Sequence, residues 1–280
     1  MISQIGNKTV SIIITTKNSA STLEQCLFSS QNQTYPDLEI IVVDNNSTDK
    51  TIELAKKYTK NIFNHGPERS AQRNLGIKKS KGEYVLIIDS DMILSPNIVT
   101  ECFQKIRANN DIIALVIPEE SFGRGFWSQC KKLERSFYQG VDWMEAARFF
   151  KKDIIIELGC YDLENTGTED YDLPQKVKNK FGNNSIANIK SKILHDEGRL
   201  KLLKTLKKKF YYAQSIPQYK QKAENINNFK KQANPIQRYK LFFSAPKKLF
   251  RNPFIGLGML FMKTSEFIAG GLGYLYKKNK

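Results

Sequence analysis

An apolar run closes on two acids in Val85-Leu86-Ile87-Ile88-Asp89-Ser90-Asp91, and a second acidic cluster follows downstream in Thr168-Glu169-Asp170-Tyr171-Asp172. Carboxylates at i and i+2, delivered at the end of a buried strand, offer hard oxygen ligands to a divalent cation, Mg2+ or Mn2+, bound beside a diphosphate. A carboxylate from the second cluster is then available as a base. Transfer of a sugar from a nucleotide diphosphate needs that division of labour. The diphosphate departs only when its charge is neutralised, and an attacking hydroxyl becomes nucleophilic only when its proton is accepted. An Asp-x-Asp alone is also an ordinary solvated turn, so the elements around it decide.

Those elements have a clear order. Val10-Ser11-Ile12-Ile13-Ile14 is a β-branched run entering Thr15-Thr16-Lys17-Asn18, and Ser21-Thr22-Leu23-Glu24 reads as the capped start of a helix reaching about Gln31. A second strand, Leu38-Glu39-Ile40-Ile41-Val42-Val43, ends in Asp44-Asn45-Asn46-Ser47, and a helix is expected over about 51–58. The third strand carries Asp89 and Asp91. Near-continuous apolar strands alternating with helices predict an α/β domain with a parallel-rich sheet covered on both faces. Ligands of such sheets collect at the carboxyl ends of the strands, where Thr15 to Asn18, Asp44 to Ser47 and Asp89 to Asp91 all fall.

Five blocks resemble, in order, those of family 2 glycosyltransferases: Ser11 to Asn18, Glu39 to Asp49, Arg69-Ser-Ala-Gln-Arg-Asn-Leu-Gly76, Gly82 to Asp91 and Thr168 to Leu173. The resemblance implies a GT-A fold (Rossmann-like and nucleotide-binding, a mixed sheet with helices on both faces), a UDP- or GDP-sugar donor, a divalent metal and inversion at the anomeric carbon. Carried over by position, it puts Thr16, Asn18, Asp44, Arg73 and Asp89 in the nucleotide-sugar pocket, with Asp44 accepting a hydrogen bond from the base ring. Asp91 ligates the cation directly, and Asp89 holds the ribose or a metal-bound water. Glu169 and Asp170 are the catalytic acids, with Asp170 the base. His195, in Leu194-His195-Asp196-Glu197 beyond the Glu-Asp pair, is where related enzymes place a histidine near the metal or diphosphate, and is expected as a third ligand. Cys160 and Tyr161 depart from the family's usual glycine and phenylalanine. The Gln-x-x-Arg-Trp motif of processive polymerases is absent up to Phe181, which argues against processive synthesis. The stretch from Glu119 to Glu145, with Trp127 and Trp143, lies where family members vary their acceptor contacts, although both tryptophans also suit plain packing.

Charge divides the chain. Residues 199–280 hold 19 Lys and Arg against 2 acids, net +17, whereas residues 1–198 hold 25 against 26. A neutral catalytic domain, 1–198, followed by a basic amphipathic helical appendage, 199–280, is therefore expected. The appendage interleaves aromatics with cations, as in Tyr239-Lys-Leu-Phe-Phe and Lys247-Lys-Leu-Phe-Arg251. That pattern suits an anionic membrane surface, with a helical lid carrying a solvated basic face as the lesser alternative. Lys263 and Glu266 near the middle of Phe254–Tyr276, together with frequent glycines, predict two short in-plane helices rather than a span. Four scattered cysteines without a Cys-x-x-Cys pair point to a reducing compartment. No apolar signal segment occurs in Met1 to Thr9. The expected enzyme is thus cytoplasmic and peripheral on the cytoplasmic face of the membrane, transferring a hexose to a lipid-linked or glycan acceptor in glycan or cell-envelope biosynthesis. A nucleic-acid-binding protein using the basic aromatic tail, and a nucleotidyltransferase making NDP-sugars, are the alternatives. The first leaves the five blocks unexplained, so no nucleic acid is expected. The second lacks a glycine-rich phosphate loop at Thr15-Thr16-Lys17-Asn18.

Overall fold

The computed structural model describes residues 9–164, 167, 169–216 and 234–278. Packing divides the chain into two compact units. One takes in Met1–Pro118, Ala146–Leu163 and Tyr171–Ile193, and the other Glu119–Glu145, Glu164–Asp170 and Leu194–Lys280. This division differs from a charge boundary at residue 198 in grouping 119–145 and 164–170 with the basic tail.

In chain order the elements are β1 (Val10–Thr16), α1 (Leu23–Gln31), β2 (Leu38–Asp44), α2 (Thr51–Ala55), β3 (Ile62–Asn64), α3 (Arg69–Lys79), β4 (Tyr84–Asp89), β5 (Met92–Leu94), α4 (Ile98–Ala108) and β6 (Ala114–Val116). There follow β7 (Glu119–Phe122), α5 (Phe126–Ser136), β8 (Ala147–Lys151), α6 (Lys152–Glu157), α7 (Glu169–Phe181), β9 (Ile186–Asn188), β10 (Ile193–Asp196), α8 (Leu202–Ala213), α9 (Pro235–Phe243), α10 (Pro246–Leu249) and α11 (Pro253–Lys278).

The first unit is built on a seven-stranded sheet in the order β3-β2-β1-β4-β8-β6-β9. β1 lies parallel to β2 and β4, in a register that aligns Thr16 with Asp44 and Thr15 with Asp89. β8 runs antiparallel to β4 and β6, so the sheet is mixed. The β-branched runs explain why these strands sit centrally: side chains alternate between faces, and both faces are buried. Ile12, Ile14, Val42, Leu86 and Ile88 enter one core cluster, and Ile13, Ile41, Val43, Val85 and Ile87 the other.

In the second unit, β7 lies beside β10, and α5, α8 and α11 pack together around a core of Cys130, Phe137, Phe242, Leu249, Met259 and Met262. The two short helices expected over Phe254–Tyr276 are one helix, α11. Its glycines serve close packing instead of breaking it. A Cβ on Gly258 would lie 2.4 Å from the Phe126 ring, and one on Gly273 2.2 Å from the Phe210 carbonyl oxygen. No helix among the described residues is long and apolar enough to cross a membrane.

Candidate active site

The loops at the carboxyl ends of β1 and β2 are laced together by short polar side chains. Thr16 Oγ1 donates to Asp44 Oδ1 at 2.7 Å, where Ser47 Oγ also donates at 2.5 Å, and the Ser47 amide donates to Asp44 Oδ2 at 2.7 Å. Asp44 is buried, so its charge must be met by such donors, and it also caps the turn that follows β2. Asn18 adopts a left-handed backbone, with φ of 49°. Its amide donates to Ser47 Oγ at 2.7 Å, and its Oδ1 accepts from the Thr48 amide at 2.8 Å. Gln72, buried on α3, donates to the carbonyls of Thr16 and Val43 at 2.9 and 2.7 Å and so pins both strand ends.

The end of β4 is held by arginines from the same helix. Arg73, fully buried, donates to Asp89 Oδ1 at 3.1 Å, and Arg69 donates to Oδ2 at 3.4 Å. Thr15 Oγ1 donates to Asp89 Oδ1 at 3.1 Å. The Arg73 guanidinium also stacks over Tyr161, 5.2 Å from the ring centroid, and Asn74 exchanges hydrogen bonds with the Tyr161 backbone at 2.8 and 3.0 Å. Asp89 therefore enters the site as an arginine-paired carboxylate. Asp91 follows two residues on, in the turn between β4 and β5. The negative field of the pair reaches Cys26: burial first, and then Asp91 and Asp89, push its thiol well above the ordinary range.

Of the residues singled out from sequence, Thr16, Asn18 and Asp44 form one hydrogen-bonded set and Arg73 and Asp89 another, and all lie with Asp91 in the first unit. Glu169, Asp170 and His195 lie in the second. Glu169 and Asp170 open α7, where the helix dipole favours carboxylates, and the buried Glu169 carboxylate accepts the Gly167 amide. Thr168, quoted with this block, lies outside the described residues. His195 Nδ1 is 3.2 Å from Glu119 Oε2 and 3.1 Å from an Arg135 nitrogen, and Arg135 bridges on to Glu197 at 3.0 Å. Among the described residues no group of three or more His, Cys, Asp or Glu forms a metal-binding set. Trp127 packs against Phe126 and Phe261, and the Arg238 guanidinium lies over Trp143 at 5.3 Å.

Arg69, Gln72 and Tyr161 were not assigned roles from sequence. Arg69 was findable, because it stands four residues before Arg73 on one helix and so shares its face. Cys160, the departure from glycine, sits at φ 56°, a left-handed position that glycine adopts without strain.

A mixed α/β sheet with carboxylates at its strand ends fits the GT-A architecture, and the solved structures share that fold. A mannosyltransferase from Pyrobaculum calidifontis, solved with GDP-Man and Mn2+, aligns with a TM-score of 0.65 over 98% of this chain and 89% of that one, at 15% identity. Residues 1–349 of TarS from S. aureus align at 0.52 over 97% and 92%, at 16% identity. Residues 11–164 match the glycosyl transferase family 2 model, and the chain belongs to that family. It is 28% identical over 167 residues to the poly(ribitol-phosphate) beta-N-acetylglucosaminyltransferase TarP of Staphylococcus aureus, covering 53% of this chain and 50% of that protein. To a poly(ribitol-phosphate) beta-glucosyltransferase of Bacillus spizizenii it is 35% identical over 128 residues, 41% and 20% of the two. The chain thus spans half or less of the length of these relatives.

Proposed function

We propose that this protein is an inverting glycosyltransferase that moves a hexose from a UDP- or GDP-sugar to a hydroxyl or phosphate of a lipid-linked or glycan acceptor in cell-envelope biosynthesis. The observation that carries the reading is the pair of carboxylates at the ends of β2 and β4, Asp44 and Asp89, each accepting a hydrogen bond from a threonine at the end of β1 between them. Asp44 uses three acceptor positions internally, and the remaining one on Oδ2 suits a ring N–H of the base. Thr16 and Asn18 fix the walls of that pocket.

A divalent cation fits this donor set. Mg2+ and Mn2+ in nucleotide sites take one or two protein carboxylates and complete their shell with phosphate oxygens and water, so no three-residue cluster is required. Asp91 would hold it directly, Asp89 would assist from its arginine-fixed position, and His195 would be the third ligand. When bound, the cation supplies charge neutralisation to the diphosphate. The acceptor oxygen attacks the anomeric carbon from the face opposite the diphosphate while its proton passes to the Asp170 carboxylate. The anomeric C–O bond breaks, and the nucleoside diphosphate leaves with the electron pair. Glu169 holds the turn from which Asp170 acts. Residues 1–198 are read as the catalytic domain and 199–280 as a cationic segment that keeps the enzyme on the cytoplasmic membrane face, where lipid-borne acceptors are concentrated.

The test is thermal shift with a panel of UDP- and GDP-sugars, with Mn2+ or with EDTA. One nucleotide series should stabilise the wild type only with Mn2+, and Asp91→Ala should lose that shift. Equal shifts in EDTA, or in Asp91→Ala, would remove Asp91 from the metal site.

A further inference from the structure

We infer that the outward face of α11 is the surface that docks on the membrane, lying in the headgroup plane of an anionic bilayer. This inference rests on the membrane-surface reading above and names the element responsible.

α11 is polar inside and apolar outside. Facing the second unit's interior, Lys263 and Glu266 are buried, paired with each other at 3.0 Å and with Glu134 and Lys131 of α5 at 2.8 and 3.1 Å. Facing out are Phe254, Leu257, Phe261, Ile268, Leu272 and Leu275, all 51–81% exposed. Their spacings of three, four, seven, four and three residues, at roughly 100° per residue, keep all six within one stripe. The stripe runs about 32 Å along the helix. Single exposed leucines are ordinary, but a contiguous stripe of six large apolar side chains marks a surface with a partner.

Charge identifies the partner. Arg251 precedes the stripe and Lys277 follows it, both exposed, and Lys240 and Lys247 stand exposed on α9 and α10. Among the described residues of this segment the one carboxylate is Glu266, and it is buried. Exposed cations and an apolar stripe, with no exposed carboxylate among the described residues of the segment, match anionic headgroups above an acyl layer. Crossing the bilayer would carry the Lys263–Glu266 pair into hydrocarbon away from Lys131 and Glu134, so the helix lies in the plane.

The experiment is flotation of the full chain with vesicles of phosphatidylcholine, with and without phosphatidylglycerol. A Phe254→Ser/Leu257→Ser/Phe261→Ser variant changes only exposed positions. It should keep the wild-type melting curve and the wild-type rate of donor hydrolysis, yet bind anionic vesicles at least tenfold more weakly. Lys240→Gln/Lys247→Gln/Arg251→Gln should weaken binding and flatten its salt dependence. In a Trp143→Phe chain, lipids brominated near the headgroup should quench Trp127, whose ring lies 6.2 Å from that of Phe261. Wild-type binding by the serine variant would overturn the assignment of α11 while leaving the membrane reading in place. No vesicle binding by the wild type would overturn both. Self-association of the wild type that the serine variant abolishes, without vesicle binding, would give the stripe to a second copy of the chain.

Discussion

Replacing Glu266 by glutamine should destabilise the protein by about 3 kcal/mol, because it unbalances a buried box of two cations and two anions. Glu266 takes Lys263 at 3.0 Å and Lys131 at 3.1 Å, and Glu134 takes each lysine at 2.8 Å and the Tyr138 hydroxyl at 2.5 Å. Without Glu266 the two lysines share one carboxylate, with Lys209 nearby as a third cation. The lower end of the usual cost of breaking a buried pair applies, since Glu134 still reaches both lysines. Proton linkage leads to the same size. Burial alone would raise the Glu266 carboxyl, but Lys131 and Lys263 outweigh it and hold the group at about 2, against 4.5 ordinarily. A carboxyl lowered in the folded state adds stability above its unfolded pKa and loses it as pH falls through the folded one, here between about 4.5 and about 2. That gap is worth about 3 kcal/mol. Lys209 has the opposite sign of slope. Glu266 draws it up, but burial and the charges of Lys131 and Lys263 bring it down to about 8, so stability should rise with pH between about 8 and 10.5 while the unfolded lysine keeps its proton. Equilibrium urea denaturation measures each effect. The companion variant Lys263→Met/Glu266→Met removes one cation and one anion together, leaves Lys131 paired with Glu134, and should cost less than about 1 kcal/mol. A Glu266→Gln cost below about 1 kcal/mol, or a double variant as unstable as the single one, would refute the reasoning.

Two further predictions concern the catalytic sheet. Arg73→Leu removes the buried one of the two arginines on Asp89 and should lower stability by about 2–3 kcal/mol in urea denaturation, and a loss under about 1 kcal/mol would show that Arg73 is not what holds Asp89. Gly76→Ala would place a Cβ 2.3 Å from Ile13 Cγ2, where α3 meets β1. The clash should outweigh the gain in helix propensity, for a net loss of about 1–2 kcal/mol, and a raised melting temperature would contradict it.

The three parallel strands and their polar ends were legible because each strand is a β-branched run that stops at Thr15-Thr16, Asp44 or Asp89, and a doubly covered sheet needs that pattern. The arginine lock on Asp89 was half legible, since Arg73 was singled out but its partner one helical turn earlier was not. Less could be read in the tail. Lys263 and Glu266 looked like interruptions of an apolar helix, because Lys131 and Glu134, which neutralise them, are more than a hundred residues away in the chain. The glycines of α11 resembled helix breakers, since sequence does not show that Phe126 and Phe210 press against them. The same blindness to distant partners hides the grouping of 119–145 and 164–170 with the tail. The charge balance changes near residue 198, but composition does not assign earlier segments to a later unit.

The central claim is sugar transfer by direct displacement with Asp170 as base, and its most direct test is proton NMR of the first-formed sugar when an α-linked UDP- or GDP-sugar is hydrolysed with Mn2+, by wild type and by Asp170→Asn. The wild type should release the β-anomer before mutarotation, and Asp170→Asn should bind the donor yet turn over about 10²–10⁴ times more slowly. An α-anomer appearing first, or equal turnover by Asp170→Asn, would contradict the mechanism.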